Sequence, residues 1–189
     1  MDGLSYLEND HGDYRDFVSK FRNETNWTIR GDILKQLIAE VCKHTSAEER
    51  YMYNLINEKF DQGAFLYQKC LVDNQVEKEV MQFLLDNISI LTSGNFSYRD
   101  LYFKECEKFF SDLEDHMKEE ETVIFPKLRE RLSVEELSNL LKNLQWAKNN
   151  APTQPHPRAP ITGQKLLHPV TGLIDSITNP QESKSTTNL

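Results

Sequence analysis

The sequence predicts an all-α protein: an antiparallel, up-down four-helix bundle with a short fifth helix and an extended C-terminal tail. Apolar residues recur with the 3.6-residue period of a helix along several runs in the first 150 residues. Helix breakers are scarce there, since all but one of the seven prolines lie at Pro152 or beyond. Long amphipathic helices with short connections favour antiparallel neighbours in a bundle.

Four long helices are predicted in order along the chain. The first runs from about Ser5 to Phe21, and the second follows "NETNWT" and reaches about Phe60. The third follows "FDQG", and the fourth follows the loop "TSGNFS". Pro126 is expected to end or kink the fourth helix, because proline removes a hydrogen bond of the helical ladder. The apolar stripe of this fourth helix is expected to run on to Val123.

A shorter fifth helix is predicted to begin after Ser133, which has Glu136 three residues on in a capping-box pattern. After it the composition changes. "APTQPHPRAP" predicts an extended linker, and "NPQESKSTTNL" predicts a disordered end. The predicted domains are a bundle over residues 1–150 and a proline-rich linker with a partly disordered tail over residues 151–189.

Charge and composition argue against two classes of partner. The net charge is −8 and lysine and arginine do not cluster, which argues against nucleic-acid binding. No run approaches the roughly 20 apolar residues of a membrane span. An acidic N-terminus and three cysteines without close spacing indicate a cytoplasmic protein, small enough at 22.1 kDa to enter the nucleus. Cys42, Cys70 and Cys106 are expected to be reduced core residues, with thiolate metal ligands as the alternative.

Several polar residues fall on stripes that otherwise face the core. They are His11, His44, Glu48, Asn74, Glu77, His116 and Glu120. An unpaired buried carboxylate costs several kcal/mol, so these glutamates need a partner inside the bundle. A metal cation supplies one, because carboxylate oxygen and imidazole nitrogen are ligands of iron, manganese and zinc.

The spacing supports a metal site. His44 and Glu48 are four residues apart, as are His116 and Glu120, so each pair shares one helix face at a separation of about 6 Å. The segments "HTSAEERYMYNLI" and "HMKEEETVIFPKL" repeat the pattern on helices two and four. A single such residue is more simply a core histidine with protein partners or a solvated glutamate. Two His-x-x-x-Glu pairs and a third histidine on an apolar stripe, all in one bundle, favour a metal site between the two halves of the bundle.

With these motifs the chain resembles the hemerythrin-like, HHE cation-binding domain proteins found in fungi and bacteria. "ENDHGDYRDF" resembles the family's first-helix histidine motif. "LIAEVCKHTSAEERYMYNLI" and "LEDHMKEEETVIFPKL" resemble its two His-x-x-x-Glu helices, and "WAKNNAPTQPHPRAP" resembles the linker after the bundle. The resemblance covers about residues 4–160.

The resemblance implies a non-haem iron centre, with two irons bridged by Glu48 and Glu120. The terminal ligands it implies are His11, His44 and His116. The family has a further histidine early in helix three, where this chain has Asn74, a weaker neutral donor. Three outcomes stay open: Asn74 ligates weakly or through water, Glu77 replaces it, or the second iron is loose or absent. We favour a weakened second site, and another divalent metal is an alternative to iron.

Three functions follow from this pattern. The leading hypothesis is a metal-binding protein whose iron binds oxygen or responds to redox state or iron supply. The second is a peroxide- or dioxygen-activating di-iron enzyme. The third is a metal-free helical interaction bundle. Three nearby carboxylates are candidates for orienting the imidazoles: Asp13, Asp16 and Asp73.

Overall fold

The computed structural model describes residues 1–157, and every regular element in this range is helical. The α-helices are α1 (Gly3–Asn23), α2 (Trp27–Ala47), α3 (Tyr53–Lys59), α4 (Gly63–Asp86), α5 (Phe96–Glu119), α6 (Phe125–Arg131) and α7 (Val134–Asn149). Two π-helical turns, π1 (Glu48–Met52) and π2 (Glu120–Ile124), join α2 to α3 and α5 to α6. A 3₁₀ turn, Ile88–Thr92, follows α4. Four long helices and a fifth therefore form the bundle, and the predicted fold class is confirmed.

Side-chain caps fix where several of these helices begin. Asn26 accepts hydrogen bonds from the backbone of Thr28 and Ile29 at the start of α2. Asn95 caps α5 in the same way. The predicted capping box is present at α7, where the side chains of Ser133 and Glu136 each accept from the other's backbone N–H. These caps satisfy amides that have no partner within the helix.

The fourth long helix does not end at Pro126. The proline lies in the first turn of α6, directly after π2, and α6 continues to Arg131. The irregularity in this helix comes earlier, at π2. The extended linker and tail predicted for residues 151–189 fall mostly on 158–189, outside the described residues.

A layer of polar side chains divides the core into two apolar clusters. One contains Phe21, Leu34 and Phe109, and the other contains Leu7 and Phe125. On each long helix the buried polar residues fall between the members of the two clusters. We call these residues the polar layer: Asp10, His11, His44, Thr45, Glu48, Asn74 and Glu120.

The three cysteines lie in the apolar part of the core. Cys42, Cys70 and Cys106 are free and buried, as predicted for core thiols. Burial raises the pKa of the Cys42 and Cys70 thiols to about 12. Neutral thiols of this kind are poor metal ligands, because the thiolate is the ligating form.

Helix α7 packs against α1 and α2 through a short apolar face. Leu140, Leu144 and Ala147 are buried on this face and join the second apolar cluster. Gly3 allows the close approach, because a Cβ there would lie 2.7 Å from Leu140 Cγ and 2.9 Å from the backbone nitrogen of Leu141. Within residues 1–157, no helix is long and apolar enough to cross a membrane.

Two glycines of α1 give a matched test of this packing. We expect Gly3→Ala to destabilise the chain, because the new methyl would press on α7 backbone. We expect Gly12→Ala to stabilise it by about 0.5–1 kcal/mol, since a Cβ there meets nothing within 4 Å and alanine favours the helix. Urea unfolding of the chelator-treated proteins measures both. Equal stabilisation by the two changes would contradict the described docking of α7.

Candidate metal centre

Four side chains of the polar layer converge on one point. His11 from α1, His44 from α2, Glu48 from π1 and Glu120 from π2 are all buried. Each offers one ligand atom, and these four atoms all lie within 4.8 Å of one another. The group could hold a metal ion, since it combines two imidazole nitrogens with two carboxylate oxygens.

The contacts inside this group are short. His44 Nε2 lies 3.0 Å from Glu48 Oε1, and His11 Nε2 lies 3.3 Å from His44 Nε2. Glu120 links two histidines, with Oε2 at 3.4 Å from His11 Nε2 and Oε1 at 3.5 Å from His116 Nε2. The His116 side chain is 21% exposed, whereas the His11 side chain is fully buried. His116 therefore lies on the far side of Glu120, toward the edge of the bundle.

Both glutamates open a π turn, and the two turns match. The backbone N–H of Glu48 donates to the carbonyl of His44, and that of Tyr53 donates to Glu48. Glu120 and Phe125 repeat this arrangement on the other helix. Each turn inserts an extra residue into the helix, and such π-bulges are frequent at functional sites.

The π turns shift the apolar stripe by one residue. Past Glu120 the buried residues are Ile124 and Phe125, whereas Val123, expected on the stripe, is 43% exposed. The prediction for Val123 is therefore wrong. The inserted residue turns the helix so that a glutamate and the apolar residues after it face the same interior. A strict 3.6-residue period does not include this insertion.

Two imidazoles form hydrogen bonds with carboxylates through Nδ1, the ring nitrogen that faces away from the site. His11 Nδ1 lies 2.9 Å from Glu121 Oε1, and His44 Nδ1 lies 3.0 Å from Asp10 Oδ2. Because an ionised carboxylate only accepts hydrogen bonds, Nδ1 carries the proton in each ring. Nε2 is thereby directed inward, as in the carboxylate–histidine pairs of metal sites.

Each of these carboxylates is itself ion-paired. Arg15 donates to both oxygens of Glu121, at 2.9 and 3.0 Å. Lys148, from α7, lies 2.6 Å from Asp10 Oδ1. Burial would raise the pKa of Asp10, but its contacts with His44 and Lys148 outweigh burial and lower it. Asp10 therefore stays ionised although it is nearly inaccessible.

Asn74 is held in a similar way. Its Nδ2 donates to Glu49 Oε1 at 3.5 Å, and Glu49 is paired with Lys78 at 2.6 Å. The amide oxygen, Oδ1, is buried without a hydrogen-bond partner. The contact with Glu49 leaves that oxygen available as a neutral donor.

The three supporting carboxylates, Asp10, Glu49 and Glu121, were missed by sequence reasoning, which named other aspartates. Of those, Asp73 is paired instead with Lys69 at 3.1 Å, on the surface of α4. The sequence does contain a signal for these three carboxylates, because each is the chain neighbour of a predicted ligand. Each then forms its hydrogen bond with a different predicted ligand, on a neighbouring long helix.

Most of the buried polar atoms without a hydrogen bond belong to the predicted ligand residues. Among the described residues, eight buried side-chain nitrogen or oxygen atoms have no hydrogen-bond partner. Six belong to residues predicted as ligands: Glu48 Oε1, Asn74 Oδ1, Glu77 Oε2, His116 Nε2 and both carboxylate oxygens of Glu120. Glu48 Oε1 lies 3.0 Å from His44 Nε2 but forms no hydrogen bond with it. Leaving such an atom unpaired costs about 1–3 kcal/mol. All six are metal-ligand atom types, so these residues fit a bound cation.

The electrostatics also favour a cation. Burial raises the pKa of Glu48, and the charge of Glu120 adds to the rise. Burial also raises the pKa of Glu77. For His44, burial opposes protonation, but Glu48 and Asp10 outweigh it and raise the pKa to about 10. The carboxylates around His44 thus favour a positive charge at this point, and a metal ion bound there would supply one.

Comparison with protein families agrees with this geometry. The family model for the hemerythrin HHE cation binding domain matches residues 2–128, more than half of the chain. The match includes every residue of the converging group and ends before α7. No curated protein and no solved structure matched the chain.

Metal removal should therefore lower stability. With a divalent metal at 100 times its dissociation constant, we expect the free energy of unfolding to rise by about 2.7 kcal/mol over the chelator-treated chain, because the site exists only in the folded state. Thermal melts with and without ferrous iron or zinc measure the change. The double variant Glu48→Gln, Glu120→Gln should lose it, whereas Glu130→Gln, at an exposed position, should keep it. An equal metal response in both variants would place the metal elsewhere.

Proposed function

The chain belongs to the hemerythrin HHE cation-binding domain family, and on that premise we propose that it is a non-haem iron-binding protein. The observation that carries the proposal is the set of buried ligand atoms without a hydrogen bond on Glu48, Asn74, Glu77, His116 and Glu120. A core that served only to stabilise the bundle would contain apolar residues here, because unpaired buried charges are destabilising. Imidazole and carboxylate donors together suit iron, with manganese or zinc as chemical alternatives.

We assign the ligands in two groups. The first metal position uses His11 and His44, with Glu48 and Glu120 as carboxylate ligands. These four residues have the shortest mutual distances and two supported imidazoles. Glu120 would also contribute to a second position, since it contacts a histidine through each oxygen, and Glu48 would be the matching carboxylate on the other helix.

The second position is weaker. Its histidine is His116. Among the described residues, no carboxylate forms a hydrogen bond with Nδ1 of this ring. In place of a further imidazole it has the amide oxygen of Asn74 and the carboxylate of Glu77, both with an unpartnered buried atom. A neutral amide oxygen binds a metal less strongly than imidazole does. We therefore propose one firmly held iron and a second that is easily lost.

The surroundings favour binding of a small ligand. Bound iron supplies affinity for dioxygen or peroxide and a change of oxidation state. The protein keeps most of the ligands away from bulk water: Phe125 stacks on His11 with ring centroids 5.8 Å apart, and Tyr14 lies edge-on to His44 at 5.5 Å. His116 is the partly exposed member of the set. We propose an oxygen-, redox- or iron-responsive binding protein.

Metal content tests the proposal. Protein expressed in iron-supplemented medium and purified without chelator should contain between one and two irons per chain by elemental analysis. The double variant Glu48→Gln, Glu120→Gln should contain none, and Glu130→Gln should match wild type. If the wild-type protein contains no iron and takes up none anaerobically, the function is wrong and a metal-free interaction bundle is left.

The weak second position has its own test. We expect Asn74→His to tighten the second metal, because imidazole is a stronger donor and Glu49 is already placed to orient it. Anaerobic ferrous titration should then change from one tight and one weak binding step to two tight steps. Asn57→His, on an exposed part of α3, is the matched control. An unchanged titration in Asn74→His would show that position 74 is not at the metal.

A further inference from the structure

A single lysine connects α7 to the metal centre. Lys148 lies in the last turn of α7, a helix outside the family match. Its side chain is only 11% exposed, and Nζ lies 2.6 Å from Asp10 Oδ1. The ammonium also lies 5.1 Å from the ring centroid of Tyr6, on the opposite helix α1. Lys148 is therefore held in place as well as buried.

Asp10 uses both carboxylate oxygens, one toward α7 and one toward the site. Oδ1 accepts from Lys148, and Oδ2 accepts from His44 Nδ1 at 3.0 Å. On the inner side of the ring, His44 Nε2 faces Glu48 Oε1 at 3.0 Å. A planar carboxylate bound at both oxygens has a fixed orientation, so it fixes the plane of the imidazole as well.

From this chain of contacts we propose that Lys148 is a positioning residue of the metal centre, acting through Asp10 on His44. The inference rests on the proposed metal-binding function and adds α7 to the site. Lys148 fixes the orientation of Asp10, and Asp10 keeps the lone pair of His44 Nε2 directed at the metal position. The same arrangement holds His11 through Glu121 and Arg15.

Contacts other than the Lys148–Asp10 pair also hold α7 on the bundle. Loss of Lys148 should therefore change the orientation of Asp10 without undocking α7. Leu140, Leu144 and Ala147 supply a buried apolar face. A second ion pair, Lys59–Glu136 at 2.6 Å, links α7 to α3 in a more exposed place. A buried ion pair is not in itself evidence of net stabilisation, because desolvation offsets its attraction. A function in orienting His44 explains why a charge pair is buried between α7 and α1.

The test is metal affinity in the full-length chain. Cobalt(II) serves as the probe, since its visible absorption reports ligand geometry, and a competing chelator gives the dissociation constant. We expect Lys148→Met to weaken cobalt binding about 10- to 100-fold, the usual effect of losing an orienting partner, and to alter the absorption bands. Lys148→Arg should recover most of the affinity. Lys59→Met, which removes the other α7 ion pair, should bind as wild type does.

A double-mutant cycle distinguishes action through Asp10 from a general effect on the fold. If Lys148 acts through Asp10, Lys148→Met should cause no further loss of cobalt affinity in an Asp10→Asn background. Should Lys148→Met fail to fold, Lys148→Gln replaces it in the same cycle. Wild-type affinity in the folded Lys148 variant, or an additive loss in the double variant, would overturn the inference while leaving the proposed function intact. Absence of cobalt and iron binding in wild type would instead refute the proposed function, and with it this inference.

Discussion

Carboxylates and imidazoles buried across the middle of an apolar bundle are the constraint on which the rest of this structure depends. On their own, Glu48 and Glu120 bring negative charge and oxygens without hydrogen bonds into the buried interior. A folded chain tolerates this only if something compensates. The apolar clusters on either side stabilise the helices, and the polar layer between them concentrates ligand atoms at one point. The apolar clusters thus stabilise the bundle, and the polar layer supplies the side chains that could bind a metal ion.

Each carboxylate that orients a ligand histidine lies on a different helix from that histidine. Asp10 stands beside one predicted ligand and holds His44, and Glu121 stands beside another and holds His11. Adjacent residues on a helix project about 100° apart, so one can point inward while the next reaches a neighbouring helix. Such a carboxylate is present for His11 and His44, whereas His116 has only its contact with Glu120 among the described residues. This difference is the physical reason for proposing two unequal metal positions in a sequence that repeats the same motif.

Much of the architecture could be predicted from the sequence, because helical period, caps and breakers are local signals. The four long helices, the capping box at Ser133 and the burial of the three cysteines follow from such signals. The inward position of Glu48 and Glu120 also agrees with the His-x-x-x-Glu spacing, although His116 lies outside the group of four that converges. The exposure of Val123 was not, because an inserted π residue changes the register without a composition signal. Lys148 was not predictable either, since its partner Asp10 is 138 residues away in the chain.

Anomalous diffraction at the iron edge, from crystals grown with iron, would test the proposed iron site in the polar layer. We expect a strong peak about 2.0–2.1 Å from the Nε2 atoms of His11 and His44, the usual distance between a metal ion and an imidazole nitrogen. A weaker peak should lie beside His116. Crystals of iron-treated protein with no peak in this layer, and with His44 Nε2 still paired with Glu48 at 3.0 Å, would contradict it.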